Sequence, residues 1–223
     1  MKSVSLSFVA MVLTLQVAEA VPASPRGTEW ESERELGLSK ERPHAWFGSF
    51  PDIESAKAVL SSRSPRVMSL DSETAWRFHW SKRPAERPKD FFREEYDVSG
   101  WDVVKVPCSW QAEGMRATGK RFGVPLYVNQ PYLFTPEFPA TSNSWPRVTG
   151  HDVPKDWTFG SDDNPVGSYR RDFDVAADWL TDDVFLQFDG VETFFYLWVN
   201  GRYVGFSKNS RSPAAFNVGD LLR

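Results

Sequence analysis

The stretch Leu197-Trp198-Val199-Asn200-Gly201-Arg202-Tyr203-Val204-Gly205-Phe206 decides the fold class. Two runs of aromatic and β-branched residues flank Asn200-Gly201. That dipeptide is favoured where both central residues of a tight turn need positive φ, so the segment predicts a β-hairpin. Upstream, Val184 to Phe188 and Thr193 to Val199 read as further strands, with Asp189-Gly190 opening the turn between them. Gly190 and Gly205 are expected to serve backbone geometry. Phe195 and Trp198 point to opposite faces of one strand, so one of them leaves the core and should form an exposed apolar patch. Further back, Tyr169, Arg171, Phe173 and Val175 alternate with Arg170, Asp172 and Asp174, the pattern of a half-buried strand.

The same period appears in Trp76-Arg77-Phe78-His79-Trp80, which puts three aromatics on one face and Arg77 and His79 on the other. Trp101 to Val106 is a strand candidate ended by Pro107. From Gly114 to Asp163 no period is visible among Pro, Gly, Asn and aromatics, and the stretch reads as mostly loop. Residues 21–72 read as an irregular N-terminal arm. Its one short helix is expected around Asp52 to Leu60, with Asp52 as cap and Ile53, Ala56 and Leu60 on one face. Several short aromatic strands separated by turns give an all-β class, a β-sandwich or jelly roll.

Composition narrows the function. The 223 residues carry 26 Lys and Arg against 30 Asp and Glu, a net charge of −4, which disfavours nucleic-acid binding. No phosphate-cradling glycine pattern occurs, so nucleotide binding drops out. Lys2, the apolar run Val4 to Val17 and the exit Ala18-Glu19-Ala20 predict a signal peptide over residues 1–20, hence an exported, periplasmic or secreted protein with no membrane association after cleavage. Cys108 is the only cysteine and has no disulfide partner within the chain.

His44, His79 and His151 lack metal-ligand spacing and read as structural or surface residues. The pairs Glu94-Glu95, Asp162-Asp163 and Asp182-Asp183 are sequence neighbours, whereas glycosidase carboxylates must face one another across a bond, so they read as solvated turn ends. The residues therefore nominate no catalytic group and no metal ligand. Lys82 to Lys89 reads as a solvated connector.

Several strings, taken in order, resemble the N-terminal part of the large β-galactosidases of glycoside hydrolase family 2. They are Pro43-His44-Ala45, Ser69-Leu70, Trp76-Arg77-Phe78, Gly100-Trp101-Asp102 and Val106-Pro107-Cys108-Ser109-Trp110-Gln111. Then come Pro125-Leu126-Tyr127-Val128-Asn129, Asn164-Pro165-Val166-Gly167-Ser168-Tyr169-Arg170-Arg171, Phe188-Asp189-Gly190-Val191, Trp198-Val199-Asn200-Gly201 and Val204-Gly205-Phe206-Ser207. The resemblance runs from about Glu29 to the last residue. It implies a galactose-binding-like jelly roll over 73–223, incomplete at its C-terminus, in front of an immunoglobulin-like domain and a barrel that carries the two catalytic glutamates.

By the same resemblance, the complete enzyme hydrolyses terminal β-D-galactosides with retention, and this chain alone is expected to be inactive. Asn129 is the one implied substrate-binding residue, its amide meeting a galactose hydroxyl. The resemblance implies no cofactor within this chain and allows Mg2+, Na+ and a homo-oligomer for the full-length enzyme. Cys108-Ser109 replaces the usual Ser-Asn, and residues 141–163 are longer than in typical members, so the loop beside Asn129 is expected to be reshaped. Trp145 and Trp157 in that loop read first as staples of the loop and second as sugar-stacking rings. Other family 2 activities, β-glucuronidase or β-mannosidase, and a non-catalytic carbohydrate-binding module are the alternatives.

Overall fold

The computed structural model describes residues 22–32, 34–58, 64–118, 121–123 and 165–223. Among these, eight strands form three small antiparallel sheets, joined by two short helices and several 3-10 turns. The all-β expectation holds, although the described strands make three separate small sheets rather than two broad ones.

The hairpin forms as read: β6 (Phe194–Val199) pairs with β7 (Arg202–Lys208), and Asn200 and Gly201 take φ values of +47° and +76°. Asn200 also donates from its amide to the Leu221 carbonyl at 2.7 Å, tying the turn to the C-terminal 3-10 turn. A register shift between Leu197 and Trp198 lets β7 turn Val204 toward the core while Tyr203 and Phe206 face Trp198 and Tyr196 on the other side. Strands β5 (Phe185–Phe188) and β8 (Ala214–Asn217) pair beside this hairpin. The first core lies between them: Leu197, Val204, Ala214, Phe216 and Val218, with Phe188 and Phe195 packed against it. Phe216 has no accessible surface, a burial that stabilises by about 1.5–3 kcal/mol.

The second core belongs to β2 (Ser72–Ser81), which pairs with β3 (Asp102–Val106) on one edge and β4 (Val166–Arg170) on the other. Trp76, Phe78 and Trp80 share a face as expected, and Phe78 is fully buried with Val104 and Phe122. Tyr169 lies opposite Phe78, ring centroids 4.8 Å apart.

Four expectations need correction. The segment read as loop from Gly114 contains the second half of a helix, α2 (Trp110–Thr118). Its glycine marks close packing rather than a break, since a Cβ on Gly114 would come within 2.9 Å of Phe122. The strand read over Tyr169–Val175 ends at Arg170, opposite Arg77; β2 runs on to Ser72 without a partner from this side, and the burial alternation continues without a ladder. The helix α1 (Ile53–Ala58) is capped as expected, Ser55 N–H donating to Asp52 Oδ1 at 2.7 Å, but its supposed inner face is solvated, with Ile53 71% exposed. Finally, Trp198 leaves the first core yet forms no bare patch, because Phe92 stacks on it at 5.4 Å with ring planes 7° apart.

The first part of the arm is built into the domain. Strand β1 (Gly37–Leu38) adds to the outer edge of β7, and Glu41 N–H donates to the Ala215 carbonyl at 2.9 Å. Gly205 is required there, because a Cβ on it would sit 2.1 Å from the Leu38 carbonyl oxygen. Gly190 carries no such constraint; a Cβ would make ordinary contact with the Ser210 carbonyl at 3.4 Å. Glu29, 2% exposed, accepts from the backbone N–H groups of Arg26, Gly27 and Thr28 and from the Tyr196 hydroxyl. Burial alone would raise its carboxyl, but these hydrogen bonds outweigh burial and hold it below the ordinary carboxylate value. Burial and the neighbouring Glu29 push the Tyr196 hydroxyl up, so the proton stays on the tyrosine.

Candidate functional site

The outer face of β2, away from Phe78, presents Arg77 and His79, and the paired positions on β4 are Arg170 and Ser168. The segment 90–101 crosses this face. Arg170 holds it: Nη1 donates to the carbonyls of Phe91, Arg93 and Tyr96 at 3.4, 2.8 and 3.0 Å, and Nη2 donates to Glu94 at 2.8 Å. A segment without regular structure leaves carbonyls unpaired, and one guanidinium here meets four of them.

Held in that way, the segment directs its aromatics to both sides. Trp101 meets His79 at 5.4 Å, Phe91 lies between Trp101 and Trp198 at 5.9 and 5.6 Å, and Phe92 stacks on Trp198. The aromatic seam therefore runs from the β2 sheet to the β6–β7 hairpin.

Between segment and sheet lies an open cleft of about 460 Å³, lined among others by Arg77, Tyr96, Asp97, Arg170, Arg171 and Asp172. Arg171 lies over the Trp76 ring at 5.6 Å and donates to the Leu70 carbonyl. Asp97 accepts from Ser99 N–H at 2.8 Å, which holds its carboxyl below the ordinary value. A smaller recess of about 170 Å³ lies nearby, with His79, Trp80, Trp101, Asp102, Arg121 and Phe122 on its walls. Arg121 pairs there with Asp102 and lies 5.3 Å from the Phe122 ring centre.

Of the residues singled out in the sequence, Asn129, Trp145, His151, Trp157 and the Asp162-Asp163 pair lie outside the described residues. The other carboxylate pairs are engaged at the surface. Glu94 pairs with Arg223, Asp182 lies 3.3 Å from Arg66, and Asp183 accepts from the Asn217 amide at 3.0 Å. Cys108 is half-buried; burial first, then the Glu113 charge, pushes its thiol up and keeps it protonated, the wrong state for a nucleophile. Among the described residues, no group of three or more His, Cys, Asp or Glu is placed to hold a metal ion, so neither Mg2+ nor Na+ is assigned ligands there. No helix among them is long and apolar enough to cross a membrane. Sequence reasoning missed Arg170 and Glu29. Each sits in a recognisable motif or charge run, but its partners come from distant parts of the chain.

The geometry can be set beside known proteins. Residues 67–223 match the profile described as glycosyl hydrolases family 2, sugar binding domain. The chain belongs to that family. The chain is 29% identical over 196 residues to a beta-galactosidase of Priestia megaterium, covering 87% of this chain and 17% of the relative. It is 34% identical over 169 residues to a beta-galactosidase of Halalkalibacterium halodurans, covering 76% of this chain and 14% of the relative. The chain thus spans about one sixth of the length of the curated relatives it matches. The crystal structure of Bacteroides uniformis beta-glucuronidase is similar at 16% identity and a TM-score of 0.41, over 69% of this chain and 13% of that one. The family places the chain among the sugar-binding domains of glycoside hydrolases, and its curated relatives bear the name beta-galactosidase.

Proposed function

We propose that this chain is the N-terminal sugar-binding portion of an exported β-galactosidase that hydrolyses terminal β-D-galactosides with retention. The family match over residues 67–223, together with relatives named beta-galactosidase, supports this reading. Retention needs an acid/base carboxyl and a nucleophilic carboxylate about 5–5.5 Å apart across the glycosidic bond. Those two groups belong to the barrel of the complete enzyme, and no described residue is assigned to them.

The share of this domain is recognition. The Asn129 amide hydrogen-bonds a galactose hydroxyl, and an epimer that misplaces that hydroxyl leaves the amide unpaired in a desolvated site. Mg2+, Na+ and self-association belong to the complete enzyme in this reading, and residues 1–20 direct its export.

The test is to express the complete reading frame and compare aryl β-D-galactoside, β-D-glucuronide and β-D-mannoside. The galactoside should have the highest kcat/KM, and Asn129→Ala should lower that value by about tenfold or more. A preference for either other glycoside would replace the galactoside reading. An unchanged kcat/KM in Asn129→Ala would remove the role of that residue, and no turnover of any of the three would leave a binding module.

A further inference from the structure

The outer face of the β2 sheet carries a like-charged pair that its packing does not require. Arg77 and Arg170 are directly opposed in the β2–β4 register, so their side chains leave the same face about 5 Å apart at Cβ, an arrangement that is destabilising by itself. Arg170 is met by four carbonyls. The Arg77 side chain is exposed and makes no hydrogen bond or ion pair with any described residue. Arg171 borders the cleft, but its guanidinium is turned to the Trp76 ring and the Leu70 carbonyl on the inner face.

The acidic groups on the same walls are Asp97 and Asp172, and neither is ion-paired to any of the three arginines. Asp97 is oriented by Ser99, and Asp172 is exposed without a partner among the described residues. The cleft therefore offers planar cationic donors on the sheet side and free carboxylate acceptors beside them. Its volume of about 460 Å³ falls within the roughly 300–1,000 Å³ common for small-ligand sites.

We infer that this cleft binds an acidic sugar unit, whose carboxylate or sulfate ester pairs with Arg77 while its hydroxyls donate to Asp97 and Asp172. Guanidinium geometry suits a planar carboxylate or two sulfate oxygens, and Arg170 raises the local positive potential without being free to pair fully itself. A neutral sugar keeps only the hydroxyl contacts to Asp97 and Asp172 and supplies no anion for Arg77. The site involves neither Asn129 nor the galactoside reading, and each can fail without the other.

The experiment is calorimetric titration of the full chain with galacturonate, galactose 6-sulfate, galactose and inorganic sulfate. Both acidic sugars should bind, galactose should bind more weakly than either by about tenfold or more, and Arg77→Gln should weaken the acidic sugars by about the same factor. The variant should keep its circular dichroism spectrum and melt at the same temperature or higher, since a like-charge repulsion is removed. Arg202→Gln, an exposed change on β7, should leave binding as it was. The inference is overturned if neither acidic sugar binds, if Arg77→Gln binds them as well as the parent does, or if inorganic sulfate matches them, which would mean a bare anion site only.

Discussion

The core around Phe216 and the core around Phe78 are closed in different ways. The first is filled largely by aliphatic residues and phenylalanines from strands that follow one another along the chain, β5 to β8, and the arm adds a strand at its β7 edge and a hydrogen bond to β8. The second is ringed by Trp76, Trp80, Trp110 and Tyr169, and its three-stranded sheet is completed only when β2 recruits β4 from the far side of a long intervening segment. Local pairing has little loop-closure entropy to overcome, whereas the β2–β4 pairing must overcome much more before its contacts form. Aromatic area compensates in part: Phe78 touches Trp110, Phe122 and Tyr169 with centroids 5.8, 4.9 and 4.8 Å away.

The largest expected effects come from emptying either core. Phe78→Ala and Phe216→Ala should each destabilise by about 3–5 kcal/mol in denaturant unfolding. Their optical signatures should separate the two regions. Phe78 contacts Trp110, so its removal should shift tryptophan emission, while the ring neighbours of Phe216 are Phe188 and Phe195 and its removal should leave emission nearly unchanged. Equal shifts from both variants would mean that the two cores are not distinct environments.

Gly205→Ala comes next. Its Cβ would meet the Leu38 carbonyl at 2.1 Å, so β1 must move off β7 at a cost of about 1–3 kcal/mol. Limited proteolysis should then cut within residues 34–41 while the β5–β8 core stays intact. Unchanged resistance there would show that the arm does not depend on this edge.

A smaller effect is expected from Glu29→Gln, about 1–2 kcal/mol, because the charge-assisted hydrogen bonds to Tyr196 and three backbone amides weaken. The parent should show the matching pH dependence. The folded carboxyl lies below its ordinary value, so its contribution is fully present above the unfolded carboxylate range near about pH 4.3 and is lost as pH falls through the folded value. Stability curves of parent and variant should therefore converge in acid, and parallel curves would remove Glu29 from the account.

How much of this was legible in the sequence follows from how far each signal travels. The hairpin is written in two adjacent residues, Asn200 and Gly201, and the buried face of β2 in a five-residue alternation; both are local. The helix over Trp110–Thr118 was obscured by Gly114, whose reason for being glycine is Phe122, a contact visible only in three dimensions. The Tyr169–Val175 alternation gives the right faces but not where the ladder stops, because the chain leaves β2 opposite Arg77 while β2 itself runs on to Ser72. Arg170 sat in a recognisable motif, yet its work on four carbonyls between Phe91 and Tyr96 has no local signature. The candidate galactose contact at Asn129 rests on a motif alone, and the arginine cleft on a cross-strand pairing that no spacing reveals.

The central claim is that Arg170, through the 90–101 segment and the Phe92–Trp198 stack, couples the two cores into one unit. A double-mutant cycle of Arg170→Ala and Trp198→Ala, read by urea unfolding, tests it most directly. The account predicts that the two losses are not additive, with a coupling of about 0.5–3 kcal/mol, because either change alone already frees the segment. Additivity to within about 0.3–0.5 kcal/mol would contradict it and leave two cores that merely sit side by side.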